Sequence, residues 1–212
     1  MHRLMSVSLA FAMMASLGCI RPEGAKKTLS GQELYAACAS CHGETGAGNA
    51  SIAAPNIAGL PAWYVEAQLA KYRSGVRGYH PEDHEGLRMR PMSRQMMDEA
   101  EVKAVSAYVA TLQAVKAAPS IQGGDATAGA GQYAVCQACH GDKGQGLEAT
   151  KGPPLAGQYD WYLVNQLKKF KGGLRGTHPL DTTGAQMRPM ATMLADEQAM
   201  KNVVAHIATF SR

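Results

Sequence analysis

Aromatic residues are scarce in this 212-residue chain, where Phe, Trp and Tyr together make up 6% of the sequence. Apolar residues nevertheless account for 46% and charged residues for 18%, a balance typical of globular proteins. The length suits one or two domains, and two small cores would then contain few large side chains. This shortage favours a large apolar cofactor that supplies buried area in each core.

The sequence also lacks clusters of basic residues and, beyond the N-terminus, long apolar stretches. The formal net charge is +4, but the basic residues are scattered rather than clustered as on a nucleic-acid-binding surface, so nucleic acid is not expected as a partner. Beyond the N-terminus no stretch approaches the roughly 20 apolar residues of a membrane span. No alternation typical of strands is evident. The sequence therefore predicts an all-α protein.

The N-terminal segment 1–19 is predicted to be an export signal. Two polar residues, His2 and Arg3, precede the apolar run 4–17, which is too short to span a bilayer comfortably. The signal ends with Leu17-Gly18-Cys19, which partly matches a lipoprotein processing site. Export to the periplasm is expected, and both a lipid anchor on Cys19 at the membrane surface and simple cleavage remain open.

An internal repeat at a shift of 98 residues covers most of the remaining chain. Matching pairs include Cys38 with Cys136, Trp63 with Trp161, His80 with His178, Arg77 with Arg175, and Arg90 with Arg188. Such a register indicates a duplicated domain. We expect one domain at 28–113, a linker at 114–124 where Pro and Gly interrupt the periodicity, and a second domain at 125–212. Apolar residues at helical spacing end each domain, at Val102, Val105 and Val109 and at Met200, Val203 and Ile207.

Four of the five cysteines lie in two Cys-x-x-Cys-His runs, the pattern of covalent c-type haem attachment. Two thiols one helical turn apart reach the two vinyl groups of a porphyrin edge, and the following His reaches the iron. A redox-active dithiol would not need the His, and a zinc site would have to be shared between the two halves. The sequence thus predicts two haem c groups, attached at Cys38, Cys41, Cys136 and Cys139 with iron ligands His42 and His140.

The sixth position of each iron decides between electron transfer and catalysis or gas binding. Two pairs of methionines occur in register with the haem motifs, Met89 with Met187 and Met92 with Met190. His80 and His178 also repeat, and would give a bis-His iron. The repeated arginines could pair with haem propionates or lie at the surface, and the repeated tryptophans could pack on the haem or anchor a helix.

Each half resembles a class I cytochrome c domain, and the whole is similar to the diheme cytochrome c4 family over about residues 28–212. The resemblance rests on segments 124–129, 136–141 and 154–158 and on the methionine segment with its closing helix. It implies two tandem helical domains, each wrapped around one covalent haem. It also implies that Met89 and Met187 are the sixth ligands, and that the carbonyls of Pro55 and Pro153 accept a hydrogen bond from the ligand histidines.

The resemblance further implies an electron carrier rather than an enzyme. It would pass electrons from a quinol-oxidising complex or a dehydrogenase to a terminal oxidase or another acceptor, so its partners would be redox proteins. The alternatives are a haem subunit of a larger oxidoreductase and a small haem peroxidase, which needs an iron with an open position.

Overall fold

The structure is a computed structural model that describes residues 29–211, so the predicted signal and Cys19 lie outside the described residues. Within 29–211 the regular structure is helical and contains no strand, which confirms the all-α prediction. No helix in this range combines the length and apolar character that crossing a membrane requires. The helices are α1 Gly31–His42, α2 Ala62–Ser74, α3 His84–Ser93, α4 Glu99–Thr111, α5 Ala126–Tyr133, α6 Gln137–His140, α7 Asp160–Lys171, α8 Thr182–Thr192 and α9 Glu197–Ala208.

The 98-residue repeat reappears in the helix positions. Helices α7, α8 and α9 begin 98 residues after α2, α3 and α4. The halves differ at the haem motif, where the continuous α1 of the first half corresponds to two shorter helices, α5 and α6. Below, residues 29–113 are called the first half and residues 125–211 the second half.

Side-chain caps start the helices that frame each half. Ser30 and Glu33 form the predicted capping box at the start of α1, and Asp125 accepts hydrogen bonds from the first turn of α5. Asp98 and Asp196 cap the two closing helices in the same way. Because each cap satisfies free N–H groups, the helix starts are determined locally.

Each half has its own core, in which the first helix crosses the closing helix. Val105 and Val109 of α4 are almost fully buried in the first core, and Val203 and Val204 of α9 in the second. The predicted apolar faces of both closing helices are therefore confirmed. At the second crossing Gly129 of α5 lies directly on the backbone of Asn202 in α9, which leaves no room for a side chain.

Asp160, the first residue of α7, connects the segment between the halves to the second half through hydrogen bonds. Its carboxylate accepts hydrogen bonds from the backbone N–H groups of Ser120, Ile121 and Trp161, at 2.5, 2.6 and 2.7 Å, and from the Ser120 hydroxyl at 2.7 Å. Burial would raise the pKa of Asp160, but these hydrogen bonds outweigh it and hold the pKa below its ordinary range. Ala62 occupies the corresponding position of the first half, so the repeat gave no signal for this contact.

We expect Asp160→Asn to destabilise the protein by about 1–3 kcal/mol at neutral pH, since an amide cannot accept all four of these bonds. Because the pKa of Asp160 is lowered on folding, its contribution is present above the ordinary value near 3.8 and is lost as the pH falls through the folded value. Guanidinium unfolding should therefore show a stability difference from the wild type that shrinks below about pH 4. A constant difference down to pH 2 would contradict this assignment.

Candidate functional site

The first Cys-x-x-Cys-His motif occupies the last turn of α1. Cys38 is half-buried, Cys41 is exposed, and His42 is 7% exposed at the helix end. Gly43 follows with φ of 77°, a conformation that favours glycine and turns the chain away from the helix. The helical spacing thus presents both thiols and the imidazole at one end of the helix.

The second motif repeats this placement at α6. Cys136 precedes the helix and is half-buried, Cys139 is exposed, and His140 ends the helix with 7% exposure. All four cysteines are free thiols, so no disulfide competes for them. They are available for thioether bonds to two porphyrins.

A backbone carbonyl orients each histidine. Nδ1 of His42 lies 2.9 Å from the carbonyl oxygen of Pro55, and Nδ1 of His140 lies 2.8 Å from that of Pro153. Burial lowers the pKa of both histidines, an effect partly offset by these hydrogen bonds. A neutral ring whose Nδ1–H is donated to a carbonyl leaves Nε2 free as a metal ligand.

Two tyrosines that the sequence reasoning missed stabilise the loop after each motif. The hydroxyl of Tyr35 donates to the carbonyl of Gly43 at 2.7 Å, and that of Tyr133 donates to Gly141 at the same distance. The tyrosines match at the 98-residue shift, so the repeat could have indicated them. They hold the chain that follows the histidine of each motif.

The four repeated methionines lie on α3 and α8, and all four line one cavity with both histidines. Met89 packs against the core of the first half, and Met187 is half-buried. Met190, by contrast, is 37% exposed. The sulfur of Met92 lies 3.5 Å from the side-chain amide of Gln95. Burial thus favours Met187 over Met190 in the second half, whereas Met89 and Met92 of the first half are both half-buried.

The repeated residues outside the motifs divide into two groups. Arg77 and Arg175 line the cavity, whereas His80, His178, Trp63 and Trp161 are not among its lining residues. Nδ1 of His80 accepts a hydrogen bond from the backbone N–H of Glu82. Nothing in this arrangement favours bis-His ligation. Arg90 and Arg188 also lie outside the cavity lining.

The cavity is about 560 Å³ and is lined by residues of both halves, most of them apolar. Where the halves meet, the two guanidinium groups share neutral partners. Arg77 donates to Gln68 at 2.8 Å, to Tyr162 at 3.1 Å and to Gln166 at 3.3 Å. Arg175 donates to Gln166 at 2.7 Å and to Gln68 at 3.2 Å.

This arginine pair fits a cofactor that carries negative charge. Arg77 is only 7% exposed, makes no ion pair with a carboxylate of residues 29–211, and has a buried Nε without a hydrogen-bond partner there. A buried charge requires compensation, which the propionates of haem would provide. Thiols, imidazoles, thioethers and an apolar lining complete a donor set suited to haem c. Such a group supplies reversible one-electron reduction of its iron.

The helical fold and the two attachment motifs on one cavity define a diheme c-type cytochrome, an electron-transfer protein. The cytochrome c family model matches residues 29–113 and again residues 126–211. The chain therefore belongs to the cytochrome c family, and its tandem form is that of the diheme cytochromes c4. This membership confirms the expected cofactors, two covalent haem c groups.

Known proteins of three kinds are similar to this chain. A thiosulfate dehydrogenase electron acceptor from Stutzerimonas stutzeri is 34% identical over 76% of this chain and 79% of its own. The structure of Acidithiobacillus ferrooxidans cytochrome c4 superposes with a TM-score of 0.66 and 27% identity, covering 83% of this chain and 99% of that one. Thiosulfate dehydrogenase (TsdBA) from Marichromatium purpuratum gives a TM-score of 0.67 and 30% identity, covering 84% of this chain and 39% of that one.

Proposed function

We propose that this diheme cytochrome is a periplasmic carrier that accepts electrons from a dehydrogenase and delivers them to a terminal oxidase or another acceptor. The observation that carries the proposal is that each half provides both a buried histidine and a half-buried methionine to one cavity. An iron closed by two protein ligands favours electron transfer over catalysis at the metal. The proposed cellular site is the periplasm, reached through the signal at 1–19.

The proposed ligands follow from the same arrangement. Each haem is attached through the two thiols of its motif, and its iron is ligated by the histidine of that motif. Met89 and Met187 are the sixth ligands of the two irons. Pro55 and Pro153 hold the histidine rings. The proposed domains are 28–113 and 125–212, joined by the linker 114–124.

The resemblance to thiosulfate dehydrogenase electron acceptors supports a sulfur-oxidising dehydrogenase as the donor. The test is to mix the oxidised holo-protein with purified thiosulfate dehydrogenase and thiosulfate, and to record the haem spectrum over time. Reduction of both haems is expected, with no change when thiosulfate is omitted. Reduction by a quinol-oxidising complex and quinol, but not by the dehydrogenase, would assign a respiratory donor instead.

A second candidate is a haem subunit of a larger oxidoreductase. It is favoured by the superposition on the Marichromatium enzyme, because this chain spans 39% of that protein's length. A subunit would co-purify with its dehydrogenase through gel filtration, whereas a carrier would form only a short-lived complex. Native purification from the source organism distinguishes the two.

A further inference from the structure

Two lysines, Lys169 buried and Lys71 half-buried, connect the halves to each other in a reciprocal way. Lys169 of the second half forms ion pairs with Asp83 and Glu85 of the first, each at 2.5 Å. Lys71 of the first half forms an ion pair with Asp181 at 2.5 Å, and it donates to the Thr183 hydroxyl. We call these groups the Lys169 cluster and the Lys71 cluster. Their members correspond at the 98-residue shift, so the interface has approximate two-fold symmetry.

The aspartate of each cluster is also the N-cap of a methionine-bearing helix. Oδ1 of Asp83 accepts the backbone N–H of Gly86 at 3.2 Å at the start of α3, which carries Met89. In the same way, Oδ1 of Asp181 accepts a hydrogen bond from the backbone N–H of Gly184 at 3.0 Å, at the start of α8, which carries Met187. In both clusters the lysine and the helix bind the same carboxylate oxygen.

Close packing transmits the position of each cap to its helix. A Cβ atom on Gly86 would collide with the carboxylate of Asp83, and one on Gly184 would collide with that of Asp181. Both aspartates are only 2% exposed, so neither carboxylate can exchange its lysine for water without moving. A displaced carboxylate would therefore displace the first turn of the helix.

We infer that Lys169 and Lys71 are positioning residues, each of which holds the methionine ligand of the haem in the opposite half. Lys169 acts through Asp83 on Met89, and Lys71 acts through Asp181 on Met187. Ligation at each iron thereby depends on the contact between the halves, so a partner that altered this contact would change both irons. This inference rests on the proposed methionine ligands.

The test uses the ferrous holo-protein and carbon monoxide, which binds only when the methionine leaves the iron. In a Met187→Leu background the second haem binds carbon monoxide at once, and the remaining slow phase reports Met89. Lys169→Met should accelerate that slow phase about tenfold. This corresponds to lowering the free energy of the state in which Met89 has left the iron by about 1.4 kcal/mol relative to the ligated state. Lys71→Met should leave it unchanged. In a Met89→Leu background the roles of the two lysines should be exchanged.

Lys168→Met is the matched control, because Lys168 adjoins Lys169 and carries the same charge, but is 46% exposed and pairs with Glu197 of its own half. A second variant, Lys169→Met with Asp83→Asn and Glu85→Gln, removes the cluster without leaving a buried charge unpaired. It should fold even if the single variant does not, and should show the same faster phase.

Equal acceleration at both haems would indicate a merely structural role and overturn the inference, as would an unchanged slow phase in both Lys169 variants. Failure of Met187→Leu to create a fast phase would instead overturn the ligand assignment, and this inference with it.

Discussion

Replacing Met187 by leucine is expected to remove about half of the weak absorption band near 695 nm that oxidised His/Met iron shows, and to open one haem to carbon monoxide. Leucine conserves volume but carries no sulfur, so the cavity stays filled while the iron loses its sixth ligand. The reduction potential of that haem should fall, since the thioether raises it. Met89→Leu should give the same result at the other haem.

Met190→Leu and Met92→Leu are the matched controls for this prediction. They lie three residues further along the same helices, and the first is already 37% exposed. Both should retain the full band and remain unreactive towards carbon monoxide. Loss of the band in Met190→Leu, with an unaffected band in Met187→Leu, would show that the other methionine pair binds the irons.

Gly129→Ala is expected to destabilise the protein by about 3 kcal/mol, because the added methyl group would collide with the Asn202 carbonyl where α5 crosses α9. Alanine is the better helix former by about 1 kcal/mol, so a net loss requires the collision to outweigh this gain. The melting temperature should fall by about 6–12 °C. Far-ultraviolet circular dichroism during heating provides the measurement.

Ala130→Ser serves as the control for the helix crossing. Ala130 is the next residue of α5 and is exposed, so its substitution should change stability by no more than about 0.5 kcal/mol. If Gly129→Ala were as stable as the wild type, the two helices would have to be able to separate by the width of a methyl group. The close crossing would then contribute little to stability.

Prediction from sequence worked where the signal was local. The helix starts at Ser30 and Asp125 could be recognised because a cap is a contact between residues three apart or fewer. The buried face of α4 could be recognised from Val102, Val105 and Val109, because a helix repeats every 3.6 residues. The repeat could also have identified Lys71 with Lys169, but it gives no partner for either.

The methionine ligands illustrate the limit of such reasoning. Met89 and Met92 are three residues apart and therefore share a helix face, so periodicity cannot separate them. Burial distinguishes Met187 from Met190 but not Met89 from Met92, which are both half-buried, and burial depends on what packs against the helix. The resemblance favoured Met89 and Met187, and the accessibility of Met190 agrees with it.

The sequence by itself determined the number of haems and the all-helical character of both halves, and it predicted the attachment residues. These properties reside in short motifs and helical periodicity, which act over a few residues. Only the tertiary structure decided that Lys169 meets Asp83, that Lys71 meets Asp181 and that Asp160 ties down the linker. Except for the linker contact, these pairs join residues about 100 positions apart in the sequence. All of them depend on how the helices pack against one another, which local sequence patterns do not specify.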